Sequence, residues 1–135
     1  MTSRELKSKV MTLGNRLTAE IGDRSAAFVQ AWAIVKAGAV EMAVRGVSFG
    51  SRQEALRRLA RYNPANVKAF IMPEPENAAD PAALAVMVMV QGGRGVYCLG
   101  YVPREMQGIA RAMKSRPALR VITGDINGAR LSLSA

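Results

Sequence analysis

The chain contains no histidine and a single cysteine, Cys98. Without imidazole it lacks the commonest general base, the proton carrier of serine and cysteine triads, and the nitrogen ligand of many metal sites. One thiol, in "VYCLGYV", forms neither an intramolecular disulfide nor a cysteine-ligated metal centre, and reads as a buried strand residue. Catalysis by the usual routes is therefore not expected, and no cofactor is implied. Long apolar runs are missing too: no stretch reaches the roughly 20 residues of a membrane span. The N-terminus carries Arg4, Glu5, Lys7 and Lys9 where a secretory signal has an apolar core. A cytoplasmic protein that does not engage the membrane is the expectation. Acidic residues are scarce: 10 Asp plus Glu stand against 19 Lys plus Arg, a net charge of +9. An excess of that size favours polyanionic partners, nucleic acid ahead of a membrane surface.

What is present suits one folded unit with an appendage. The 135 residues are half hydrophobic, enough for one core but not for two full domains. Thr2 and Glu5 have the spacing of a capping box, and Leu6, Val10, Leu13, Leu17 and Ile21 recur every three or four residues, predicting a helix that Gly22 stops. Asp23 is the expected N-cap of a second helix, with Phe28, Val29, Trp32, Ala33 and Val35 as its apolar surface before Gly38. This helical hairpin, residues 1–38, is too small to stand alone. It is expected to pack on the remainder or on another chain, with Trp32 as anchor.

From residue 39 the pattern changes to that of strands. "VEMAVRGVSF", "NVKAFIM", "AALAVMVMV", "GVYCLGYV", "ALRVITGDI" and "ARLSLSA" are the candidates. Two helices interrupt them. "RQEALRRLARY" follows a Ser51–Glu54 capping box and ends at Asn63-Pro64. "PREMQGIARAMKSR" has Pro103 at its first position, with Met106, Ile109, Ala110 and Met113 facing inward. Asn127-Gly128 is a strong hairpin-turn pair. "GGRG" is not a phosphate loop, because no Lys-Ser/Thr pair follows and no helix begins there. The expected class is α+β, with residues 39–135 forming a small β-barrel of about six strands and two inserted helices.

Two ordered blocks carry a family resemblance. After the strand "VRGVSF", the segment "VKAFIMPEPENAADPAALAVMV" supplies Asn77, Asp80, Ala83, Leu84 and Val86, and "GYVPREMQGIARAM" supplies Gly100, Tyr101, Val102, Pro103 and Arg104. From Val44 to the C-terminus the arrangement resembles the HIRAN domain family. The resemblance implies a modified OB-like or SH3-like barrel that, in DNA-repair helicase and translocase members, captures the 3′-hydroxyl end of single-stranded DNA. It further implies that Asn77 and Asp80 contact the terminal nucleotide and its hydroxyl, that Phe49 is a stacking position, and that Tyr101 and Arg104 flank the terminal base and phosphate. The chain departs from the pattern at three places. Gly50 replaces a second aromatic near Phe49, Ala79 an aromatic before the aspartate, and Ala82 an asparagine two residues after it.

Chemistry offers its own reading of these residues. Hydroxyl recognition is a directional hydrogen bond, so the accepting carboxylate must be held rigidly, and a short turn would hold Asp80. A carboxylate within a cationic groove also repels an internal phosphate while accepting a proton from a free hydroxyl. The structural alternative has Asp80 and Asn77 closing Asx-type turns onto their own backbone. Arg104 at a helix start either meets a phosphate or lies on a solvated first turn. Tyr101 either stacks on a base or sits at a barrel rim with its hydroxyl in water; Phe49 either stacks or fills the core. Arg52, Arg57, Arg58 and Arg61 give the middle helix a basic face, and Arg111, Lys114, Arg116 and Arg120 form a second cluster; each is a nucleic-acid contact or a solvated face. A nuclease-type metal would need Glu74, Glu76 and Asp80, of which extended geometry places the two glutamates on one face. The expected function is a non-catalytic nucleic-acid-binding module for single-stranded DNA and its 3′-hydroxyl end, in DNA repair or replication-fork processing. The alternative is a protein-interaction module that docks or dimerises through the helical hairpin.

Overall fold

The structure, a computed structural model, describes residues 2–93 and 95–135. Met1 and Arg94 lie outside the described residues, and the reading of "GGRG" falls in part on Arg94. Residue contacts divide the chain into two compact units. One groups Met1–Val40 with Gly108–Ser115 and Leu133–Ala135; the other groups Glu41–Gln107 with Arg116–Ser132.

In the first unit, local chemistry sets both helices. Helix α1 (Ser3–Ile21) opens with a complete capping box: the Thr2 hydroxyl accepts from the Glu5 amide at 3.1 Å and the Thr2 amide donates to Glu5 Oε2 at 3.0 Å. Helix α2 (Arg24–Ala37) is capped by Asp23, whose Oδ1 accepts from the Ala26 amide at 3.1 Å. Each helix ends at a glycine with φ 85°, a left-handed conformation that costs other residues energy. The helices bury Val10, Leu13 and Leu17 on one side and Ala27, Ala31, Ile34 and Val35 on the other. Gly14 makes room for Phe28, because a Cβ there would lie 2.6 Å from the ring. The expected Trp32 anchor is not found: Trp32 is 40% exposed, with the Lys36 ammonium 5.8 Å from its ring centre. The stripe at 27, 31 and 34 is the one buried, and small alanines there favour close helix approach, which turns Trp32 and Val29 outward.

The rest of the chain runs β1 (Ala39–Ala43), α3 (Arg52–Leu59), β2 (Val67–Pro73), β3 (Leu84–Val90), β4 (Tyr97–Tyr101), α4 (Gln107–Met113), β5 (Ala118–Ile122) and β6 (Gly128–Ser134). The class is α+β, with the strands in two three-stranded sheets ordered β1-β6-β5 and β2-β3-β4. Among the described residues neither sheet closes into a barrel. Backbone bonds link the sheets: Val44 donates to the Ala129 carbonyl at 2.9 Å, and Arg45 and Tyr101 exchange a pair of backbone bonds at 2.8 Å each. The chain thus steps from β6 to β4 within two residues. Gly100 permits this step, since a Cβ there would run into the Arg45 carbonyl oxygen and lie 2.8 Å from Val44 Cγ1. At the other side, β2 and β5 contact one another without sharing a ladder.

Several local expectations give way to this packing. The first strand does not reach Phe49: Gly46 turns the chain at φ 78°, and residues 47–50 form turns. Ser51 makes no cap, because its φ −86°, ψ 8° is not the extended geometry an N-cap hydroxyl needs. Pro103 is extended at ψ 141° and precedes a 3₁₀ turn, Arg104–Met106, so α4 begins only at Gln107. Of the inward set on that helix Ile109, Ala110 and Met113 are buried and Met106 is half-buried. Asn127-Gly128 is not a two-residue turn: β5 and β6 are joined by residues 123–127, and Gly128 already pairs with Ile122. Asn127 is buried, its amide donating to Gln53 Oε1 at 2.8 Å while Gln53 Nε2 donates to the Asn127 carbonyl at 2.7 Å. Gln53 thereby ties α3 to the β5–β6 loop as a strand partner would.

Candidate nucleic-acid interface

The acidic, proline-rich run before β3 is a loop held by hydrogen bonds within itself. Pro73 ends edge strand β2, where its missing N–H costs no ladder bond, and faces Leu84. Glu74 then donates from its amide to the Ala83 carbonyl at 3.0 Å, and the Asn77 amide to the Glu74 carbonyl at 3.0 Å. Asn77 Oδ1 accepts from the amides of Ala79 at 3.0 Å and Asp80 at 3.1 Å. Asp80 Oδ1 accepts from the Ala82 amide at 3.0 Å. Both Asx-type turns considered from the sequence are therefore present, and they hold the Asp80 carboxylate at fixed orientation.

The other side of the same loop gathers side chains. Asp80 Oδ2 accepts from Gln107 Nε2 at 2.9 Å and lies 3.7 Å from Arg104 Nε. Tyr101 donates its hydroxyl to Glu74 Oε1 at 2.9 Å, and Asn77 Nδ2 donates to that oxygen at 3.2 Å. The Arg52 guanidinium lies 5.6 Å from the Tyr101 ring centre and is fixed by Nη1 donating to the Gly46 carbonyl at 2.7 Å. Phe49, 70% exposed, approaches the same glycine: a Cβ on Gly46 would have Arg52 Nη1 at 3.0 Å and Phe49 Cδ2 at 3.6 Å. Arg52, Tyr101, Asn77, Asp80 and Arg104 are thus linked contact by contact through Glu74, and Phe49 lies beside Gly46 at the Arg52 end of this line. A β-bulge contributes, for the β3–β4 register slips between Val86 and Met87 and re-aims the end of β4. Gln107 was not singled out by the sequence, and Glu74 was considered there only as a metal ligand; each ties this line together through a partner 27 residues away.

Charge follows geometry. The Tyr101 hydroxyl is held above the ordinary tyrosine pKa, first by its hydrogen bond to Glu74, then by burial, with Arg52 opposing. It remains a donor at neutral pH. Arg57 and Arg58 share the Glu54 carboxylate at 3.0 and 3.6 Å, and Arg61 is exposed in the turn after α3. Arg111 and Lys114 belong to the helical unit, where Arg111 pairs with Glu20 at 3.9 Å and Lys114 ends α4 at φ 52°. Phe49 is not a core residue, and Glu74, Glu76 and Asp80 do not gather: among the described residues no group of three or more His, Cys, Asp or Glu is placed to hold a metal ion. Nor is any described helix long and apolar enough to cross a membrane. In comparisons with known proteins, the chain matches no family model, no curated protein and no solved structure.

Proposed function

We propose that the chain is a non-catalytic module that binds single-stranded DNA by its 3′-hydroxyl end, with a HIRAN-like small-barrel architecture and a role in DNA repair or replication-fork processing. The barrel reading draws support from the Arg45–Tyr101 bridge, which brings β4 beside the extension of β1. The observation that carries the function is the Asp80 carboxylate, oriented by the Ala82 amide and flanked by Gln107 and Arg104. A carboxylate accepts about four hydrogen bonds, and the terminal hydroxyl takes up one of those acceptor positions. Arg104 then meets the last phosphodiester and Tyr101 stacks on the last base. A 3′-phosphate in the same place meets the Asp80 charge and is rejected.

Fluorescence anisotropy with oligonucleotides ending in a 3′-hydroxyl or a 3′-phosphate tests this reading. Tighter binding of the hydroxyl end is expected, with log K falling by about 0.7 per neutralised phosphate for each log unit of salt. Equal affinity for the two ends removes end recognition, and a flat salt response removes phosphate binding.

A second reading is favoured by the outer face of the hairpin, where Val29 is 73% exposed, Ile21 43% and Trp32 40%. A face of this kind docks or dimerises. Light scattering across a concentration series should then show a dimer that Val29→Glu abolishes; a monomer at every concentration rules out self-association.

A further inference from the structure

Aromatic residues make up only 5% of the chain, three of them tyrosines, yet all three tyrosines lie around the arginines of α3. Tyr101 meets Arg52 as described. Tyr62 and Tyr97 line a separate groove of about 410 Å³ between α3 and the β3–β4 turn, together with Arg52, Arg58, Gly93 and Gly95. Its volume falls within the roughly 300–1,000 Å³ of small-molecule sites, enough for a nucleotide.

The chemistry of the walls is specific. Tyr62 is 49% exposed, which leaves ring surface open to a planar partner. Burial raises the Tyr97 hydroxyl pKa, Tyr62 raises it further and Arg58 lowers it, so these three groups lie close enough to sense one another's charge. Gly95, in the lining, takes φ 83° and Gly92 beside it φ 81°, left-handed turns that glycine adopts without strain. Among the described lining residues the one carboxylate is Glu54, which Arg57 and Arg58 share. Two aromatic rings beside a cationic wall are the parts of a base-stacking, phosphate-neutralising site.

We propose that this groove is a second nucleotide subsite, which takes an internal base and phosphate of the strand whose terminus lies at Asp80. The proposal rests on the nucleic-acid reading above. Arg52 joins the two places, lining the groove while its guanidinium lies over Tyr101. Division of labour follows from charge: the anionic Asp80 end admits a hydroxyl, and the cationic groove admits a phosphate.

The test is the affinity of the full chain for oligothymidylates with free 3′-hydroxyls, from about two to about ten nucleotides, within the range of known single-strand sites. Affinity of the parent chain should rise with length. Tyr62→Ala should lose about tenfold on the longer strands and nothing on the dinucleotide, with Tyr62→Phe restoring the loss. Arg58→Gln should lower the salt slope on long strands by about 0.7. If Tyr62→Ala matches the parent at every length, or weakens all lengths equally, the groove is not a subsite although end binding stands. If the parent chain binds none of the oligonucleotides, the nucleic-acid reading itself falls.

Discussion

A Gly100→Ala chain is expected to unfold about 3 kcal/mol more readily than the parent, and about 10 °C lower. The added methyl has nowhere to go. Its position is filled by the Arg45 carbonyl oxygen on one side and by Val44 Cγ1 at 2.8 Å on the other. Both neighbours are held: Val44 is 5% exposed, and the Arg45 carbonyl accepts from the Tyr101 amide. Relief requires Arg45 to move from β4, which breaks the two backbone bonds it exchanges with Tyr101. Overpacking of this kind costs about 1–3 kcal/mol, and each lost bond about 1 more. Urea denaturation monitored by circular dichroism measures the loss. Gly92→Ala is the control, for it has open space around it and only the strain of φ 81°, about 1 kcal/mol. Equal stability of the Gly100→Ala and parent chains would mean that the Arg45–Tyr101 bridge does not join the two sheets.

Asp80→Asn is the second large effect, and it separates fold from recognition. Asparagine keeps an oxygen for the Ala82 amide, and the Gln107 amide can turn over to face the new NH₂ group. The Asp80–Arg104 pair is 3.7 Å long with the arginine side chain 79% exposed, so its loss matters little to stability. The variant should therefore stay within about 1 kcal/mol of the parent. Binding should change far more. A hydrogen bond from the terminal hydroxyl to a charged acceptor contributes about 1.5–3 kcal/mol, which makes the expected loss about 10- to 100-fold for the hydroxyl end. The 3′-phosphate end should bind better, because the repelling charge is gone. Asp80→Ala is a poorer probe, since it takes an acceptor from the Ala82 amide and from the buried Gln107 side chain together. An unchanged ratio of the two affinities in Asp80→Asn would assign the carboxylate to the loop alone.

The parts of this architecture legible in the sequence are those decided within one turn of chain. The Thr2–Glu5 box, the Asp23 cap, the glycine stops and the alternation of β6 each depend on neighbours a few residues apart. Strand identity was legible for the same reason, since β2, β3 and β4 are rich in residues that fit a pleated surface. Where a distant partner competed with the local signal, the signal misled. Asn127-Gly128 has the composition of a tight turn, yet Gln53 captures the asparagine backbone from 74 residues away. Ser51 and Glu54 have the right spacing, but the Gly46–Gly50 turns and the Arg52–Gly46 bond bring the chain in at the wrong angle for a cap.

By itself the sequence determined the basic character of the protein, the lack of imidazole chemistry, the order of helices and strands, and the capacity of Asn77 and Asp80 to form turns. Those properties are sums over residues or interactions between near neighbours, and no tertiary contact alters them. Tertiary structure alone decided which face of α2 is buried, how six strands divide into two sheets, and that Glu74, Gln107 and Arg52 complete the line from Phe49 to Arg104. Hydrogen bonds act over about 3 Å and depend on angle, so a partner brought from across the chain is set by packing that no local pattern encodes.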